Sequence, residues 1–281
     1  SILNSPTSAF VYQGISTPAD SIIYAVYYDP SFTPPNPSKI YKTTDDGITW
    51  TDITPDTTTS GLDNSVSFVD EFVGYWVLGE KLYKTTDGGA NWTSSNLPLG
   101  HYAQSIHFND ASNGVIGTRD GTFNYYGGIL STTDGGITWS DTTFTINSSV
   151  VGSVKQTSGN VAYAATTGWG SSVSLLYKTI NNGVTWSEVP IPDTLSNSRL
   201  MSFDFLDDDY GFIVEESNDT SYIYKTVNGG VSWSLYQVID TTNLSAMHLT
   251  SNSGYLAGNL NQFFKLQNSN EIVGTGKLII E

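Results

Sequence analysis

The chain has 281 residues, no cysteine, and 11 Lys and Arg against 27 Asp and Glu, a formal net charge of -16. A chain of this length buries about three quarters of the surface its unfolded form exposes, so it folds without disulfides or metals, and the missing thiols exclude thiol catalysis. The shortage of Lys and Arg argues against nucleic acid and anionic membranes as partners, and no run approaches 18 consecutive apolar residues, so direct membrane insertion is not expected.

In chain order, the first segments with strand character are Phe10 to Gln13, Ser21 to Tyr28 and Lys39 to Thr43. The last of these runs into a nonapeptide, Lys42 to Trp50, that returns at Lys84 to Trp92, Ser131 to Trp139, Lys178 to Trp186 and Lys225 to Trp233. The five tryptophans are spaced 42, 47, 47 and 47 residues apart, and a period in that range marks a solenoid or a propeller. Between the first two copies lie Ser65 to Val69, Gly74 to Leu78 and Lys81 to Thr85, three short strands ahead of a fourth at Trp92. Equivalent first and second strands follow at Ser105 to Phe108 with Val115 to Gly117, Gly152 to Lys155 with Val161 to Ala164, Met201 to Phe205 with Phe212 to Val214, and Ala246 to Leu249 with Tyr255 to Gly258. A degenerate sixth copy near 265–273 is found by register from Phe264, with Asn268 in the Asp place, Asn270 in the Gly place and Val273 for Trp.

Each position of the nonapeptide has a local reason. In Asp45, Asp87, Asp134, Asn181 and Asn228 a short polar side chain accepts backbone N–H groups just ahead and closes a turn. Gly47, Gly89, Gly136, Gly183 and Gly230 supply positive φ. Trp50, Trp92, Trp139, Trp186 and Trp233 then anchor the hairpin in an apolar slot of the neighbouring sheet. Six repeats in 281 residues fit one all-β domain over 1–281, a ring of six four-stranded antiparallel blades rather than seven. Its closing strand is expected from Ser1 to Leu3 or from Gly276 to Ile280.

The motif (Ser/Thr)-x-(Asp/Asn)-x-Gly-x-(Thr/Asn/Ser)-Trp resembles the Asp-box, or BNR, repeat of sialidases, sortilin-type receptors and some glycoside hydrolases. Val73-Gly-Tyr-Trp-Val-Leu-Gly79 with Leu82-Tyr-Lys-Thr-Thr-Asp-Gly-Gly89 is most similar to the blades of the photosystem II assembly and stability factor family. That resemblance implies a propeller with a protein-docking role in assembly. The sialidase family's site implies three arginines holding a substrate carboxylate. Arg119 and Arg199 are the chain's only arginines, so that triad cannot be built.

Function is expected on the variable loops between second and third strands, Asp29 to Ser38, Arg119 to Gly128, Thr167 to Ser174 and Glu215 to Ser221. Tyr28, Phe32, Arg119, Phe123, Tyr125, Tyr126 and Trp169 are the candidate ligand-binding residues, aromatic and Arg side chains being common recognition anchors. No catalytic residue, metal site or cofactor is expected. Glu215 and Glu216 are adjacent and point to opposite faces of a strand, Asp207 to Asp209 align with the first-turn acids of other blades, and His101, His107 and His248 are scattered across blades without metal-ligand spacing. The expected function is that of a non-enzymatic binding or scaffold propeller, secreted or on the cell surface, with a protein or a glycan as partner. A glycoside-hydrolase-like propeller and a self-assembling subunit of a surface polymer are the alternatives.

Overall fold

The computed structural model describes residues 11–28, 38–55, 64–120, 127–143, 149–168, 174–192, 199–240, 243–250, 253–258 and 262–267. They form six antiparallel sheets, each in simple up-and-down order, arranged as a propeller. Blade 1 comprises β1 (Val11–Ala19), β2 (Ile22–Tyr28), β3 (Ser38–Thr43) and β4 (Thr51–Asp52). Blade 2 comprises β5 (Asn64–Phe68), β6 (Gly74–Leu78), β7 (Lys81–Thr85) and β8 (Thr93–Asn96). Blade 3 comprises β9 (His101–Phe108), β10 (Gly114–Asp120), β11 (Gly127–Thr132) and β12 (Ser140–Thr143). Blade 4 comprises β13 (Ser149–Gln156), β14 (Ala162–Gly168), β15 (Leu176–Thr179) and β16 (Ser187–Val189). Blade 5 comprises β17 (Arg199–Phe205), β18 (Gly211–Ser217), β19 (Thr220–Thr226) and β20 (Ser234–Ile239). Blade 6 comprises β21 (Leu244–Leu249), β22 (Ser253–Gly258) and β23 (Gln262–Gln267), three strands among the described residues where four were expected.

The strands of blade 2 lie where the apolar runs place them, with the fourth starting at Thr93, just after the tryptophan. Blade 1 differs. Its first strand runs on to Ala19, through Pro18, far past Gln13, and register shifts between Tyr12 and Gly14 and between Ser16 and Ala19 absorb the extra length. The expected loop Glu215 to Ser221 is also corrected. It is strand on both sides of a two-residue turn, Asn218 and Asp219, with φ of 51° and 61°. Asn and Asp tolerate that left-handed backbone, so the turn is tight without glycine. Both expected closing segments, and Asn268, Asn270 and Val273 of the sixth repeat, lie outside the described residues.

The core sits between blades. Second strands are apolar on both faces, and every residue of β6, Gly-Tyr-Trp-Val-Leu, is buried. Each apolar cluster joins two neighbours, as when Tyr24, Val26 and Ile40 of blade 1 pack with Val66, Phe68 and Trp76 of blade 2. Outermost strands are polar and exposed, as in β8, Thr-Ser-Ser-Asn.

One repeated packing unit makes these seams specific. Phe68, Phe108 and Phe205 end the inner strands of blades 2, 3 and 5 and stack on Tyr24, Tyr75 and Tyr163 of the preceding blade, ring centroids 3.4, 3.6 and 3.6 Å apart. The other side of each ring lies on a glycine. A Cβ on Gly74, Gly114 or Gly211 would come within 2.3, 2.5 or 2.4 Å of it. The tyrosine hydroxyls donate across the seam to the carbonyls of Glu71, Ala111 and Asp208, at 3.0, 2.6 and 2.8 Å. Lys42, Lys84 and Lys178 lie over the same tyrosine rings and donate to the box carbonyls of Gly88, Gly135 and Gly229 in the next blade. Between blades 3 and 4 all three positions change together. Val115 stands for Tyr, Gln156 for Phe and Ser131 for Lys, with Ala162 for the glycine.

Candidate functional site

The box turns are built alike. In blade 1, Thr43 Oγ1 donates to Asp45 Oδ1 and accepts from Gly47 N–H, while Asp45 accepts from Thr49 N–H and Thr49 Oγ1. The first three bonds recur around Asp87 with Gly89, Asp134 with Gly136, Asn181 with Gly183 and Asn228 with Gly230, while the fourth keeps its direction at Asp87 and Asp134 and reverses at Asn181 and Asn228, whose Nδ2 donates to Thr185 Oγ1 and Ser232 Oγ. The five box glycines have φ between 77° and 91°. Bonds from Thr49 first, then Thr43, bring the Asp45 carboxyl down to about 2, and Thr138 with Thr132 does so for Asp134. Asp87 is lowered through Asn91. Trp92 and Trp233 reach back to the preceding blade and donate to the carbonyls of Ile53 and Pro190, both at 2.9 Å. Trp139 and Trp186 pack against clusters shared with the preceding blade. All of these polar atoms are spent on the fold.

The first-turn acids serve similarly. Asp70, Asp110 and Asp207 each use Oδ1 to accept two successive backbone N–H groups, from Phe72 and Val73, Ser112 and Asn113, and Asp209 and Tyr210. Asp208 instead holds Thr157 and Ser158 of blade 4, at 2.6 and 3.0 Å. Neighbours in sequence, these carboxylates therefore work on separate tasks.

Up-and-down order places the box turns and first turns at one end of the propeller, and the second-to-third loops and blade connections at the other. Of the candidate ligand-binding residues, Tyr28, at the end of β2, and Arg119, near the end of β10, are described and lie at this long-loop end. Phe32, Phe123, Tyr125, Tyr126 and Trp169 lie outside the described residues. Arg119 sits over the ring of Tyr102, 5.0 Å from its centroid. A hydrogen bond to Glu80 of blade 2 raises the Tyr102 phenol. Arg199, the first residue of β17, is exposed at the same end, so both arginines of the chain belong to one face. Glu215 is fully buried while its neighbour Glu216 is not, the opposite-face arrangement expected of a strand.

Sequence reading missed the central channel. Inner strands β1, β5, β9, β13 and β21, with β22, line a cavity of about 890 Å3. Near the box end each inner strand contributes one polar side chain: Ser16, Ser67, His107, Lys155, Asp204 and His248. Most of them accept a backbone N–H from the next blade. Phe68 N donates to Ser16 Oγ, Phe108 N to Ser67 Oγ, Gln156 N to His107 Nδ1 and Leu249 N to Asp204 Oδ2, at 2.9, 2.9, 3.3 and 2.8 Å. Lys155 cannot accept, so Phe205 N turns to Asp204 Oδ1. Lys155 Nζ lies 3.0 Å from the same oxygen, and His248 Nδ1 lies 3.5 Å from Asp204 Oδ2. Two of the three histidines thus join one charged cluster spanning four blades. His101 stands apart, between Thr118 and Asp141. Burial first, and then the Lys155 ammonium, pushes His107 down to about 3 although part of its ring still meets the cavity. Asp204 is held below the usual carboxylate value by His248, Lys155 and Leu249 N–H acting against its own burial.

The family model of the photosynthesis system II assembly factor YCF48 matches residues 90–266, well over half of the chain. The chain belongs to this family. A solved structure described as YCF48 bound to D1 peptide is similar, with 18% identity over 95% of this chain and 82% of that chain and a TM-score of 0.66. YCF48 from Cyanidioschyzon merolae shares 15% identity over 96% and 98%, with a TM-score of 0.51. The GH74 enzyme of Niastella koreensis shares 16% identity over 93% of this chain but 46% of its own, at a TM-score of 0.67, so the chain spans about half of that enzyme. At these identities the likeness is one of fold. No curated protein sequence matches the chain.

Proposed function

We propose that this YCF48-family propeller is a non-enzymatic protein-binding module that serves assembly of a larger complex, acting outside the cell or at its surface and docking its partner on the long-loop end. The observation that carries the reading is family membership, in which a YCF48 protein has been solved with a D1 peptide bound. Here the supporting residues are Arg119 on the Tyr102 ring, Arg199 and Tyr28, all at one end, with the aromatic loop residues Phe32, Phe123, Tyr125, Tyr126 and Trp169 between the same strands. Aromatic and Arg side chains dominate binding energy at protein interfaces. The location rests on composition: 14% charged residues with abundant Ser, Thr, Asn and Gly resemble extracellular surface proteins.

The test is affinity capture by cross-linking from the native cell envelope, followed by titration of the captured protein against the chain and its Tyr126→Ala/Trp169→Ala variant. The double change is expected to weaken binding by about 1 to 4 kcal/mol and leave the melting midpoint nearly intact. Unfolding by these changes would make the rings core, and selective capture of glycans would replace the protein partner by a carbohydrate.

Self-association through the box end is a second reading, favoured by a recurring exposed aliphatic. Ile48, Ile137, Val184 and Val231 occupy one box position and are 68, 81, 68 and 76% exposed. A partner footprint confined to these tips, or a concentration-dependent oligomer lost in Ile137→Ser/Val184→Ser, would favour it over long-loop docking.

A further inference from the structure

Two of the six side chains around the box end of the channel break the pattern set by the others. A hydroxyl there, as in Ser16 and Ser67, satisfies the next blade's backbone N–H and needs nothing else. His107 does the same through Nδ1, which in a neutral ring leaves the proton on Nε2 as a donor. Lys155 and His248 accept nothing. Both line the cavity, while Asp204, whose side chain is 7% exposed, lies behind them without lining it. Lys155 directs one N–H to Asp204 and keeps two more, so donors stand in front and their counter-charge stands behind. The lining also includes apolar surface, Ile15 59% exposed and Tyr255, the cross-strand neighbour of His248, 45% exposed. A space of about 890 Å3 lies in the range of small-molecule sites.

We propose that the channel binds a small molecule carrying a carboxylate on an apolar body, the carboxylate accepting from Lys155 Nζ and His107 Nε2 and the body lying against Ile15 and Tyr255. A charge-assisted pair of this kind is strong where water is partly excluded. His248, on β21, shares the site with Asp204 from β17, Lys155 from β13, His107 from β9 and Tyr255 from β22, over which Lys265 of β23 lies. This site lies at the opposite end of the propeller from the docking face, so either reading stands without the other.

The experiment titrates benzoate, and neutral benzamide as its control, into the full chain while the three imidazoles are followed by NMR. Expected are saturable shifts of His107 and His248 without change at His101, and benzamide weaker by about tenfold or more. Lys155→Met is expected to lose about tenfold in benzoate affinity. Equal binding of benzamide, no saturation, or shifts spread to His101 would overturn the site. These arms use the unmodified protein and decide the matter even if Lys155→Met does not fold.

Discussion

The glycines that open the second strands of blades 2, 3 and 5 read as strand-weakening residues until the ring above each is seen. Phe68 is held between Gly74 and Tyr24, with the Trp92 edge beside it, so it has nowhere to move if a methyl group appears beneath it. Gly74→Ala is expected to cost about 1 to 3 kcal/mol or more, the range for overpacking a tight core. Gly79→Ala is the comparison. A Cβ there meets nothing within 4 Å, and only its φ of 59° resists substitution, for about 1 kcal/mol. Urea denaturation measures both, and equal costs would show that ring packing does not govern the seam.

At the scale of the element, the box is a hairpin whose stability is split by chemistry. Asp45, Asp87 and Asp134 have folded pKa values below the usual 3.8, so their stabilisation is complete above about pH 4 and is lost as pH falls through the folded values, near 2 for Asp45 and Asp134. Asn181 and Asn228 accept the equivalent backbone N–H groups and do not titrate. Between about pH 4 and 2, hydrogen exchange corrected for intrinsic rates is expected to show the boxes of blades 1 to 3 losing protection before those of blades 4 and 5. Asp87→Asn is expected to protect blade 2 in the same window. Simultaneous loss in all five boxes would separate acid sensitivity from the turns. The tryptophan end is apolar, and Trp139→Ala is expected to cost about 3 kcal/mol, the low end for a large aromatic because the ring is only partly buried. An unchanged melting midpoint would contradict that anchoring role.

For the whole molecule, stability is distributed over seams, and the seam between blades 3 and 4 lacks the Tyr, Phe and Lys that latch blade 1 to 2, blade 2 to 3 and blade 4 to 5. Hydrogen exchange at neutral pH is expected to open β10 and β13 before β6 or β18. Installing the phenylalanine alone is not a repair. Gln156→Phe would drive its ring onto the Ala162 methyl, where blades 2, 3 and 5 carry glycine, and is expected to destabilise by about 1 to 3 kcal/mol. Adding Ala162→Gly is expected to recover most of that loss, a coupling that a double-mutant cycle reads directly. Additive effects would mean that the two positions do not share the seam.

The box turns, the strands of blade 2 and the number of blades were legible in the chain alone, because each box bond joins residues at most four positions apart and the apolar runs mark buried strands. The tight turn at Asn218 and Asp219 was legible in principle, both residues being ones that accept positive φ. Tertiary structure alone decided the Tyr24 and Phe68 stack, the lysine latches and the channel cluster. Lys155 and Asp204 are 49 residues apart and Asp204 and His248 are 44, and nothing local in any of the three segments marks them as neighbours. Up-and-down blades repeat the same inner-strand position at each turn of the ring, and that repetition, invisible to any short-range pattern, gathers single residues from successive blades around one axis.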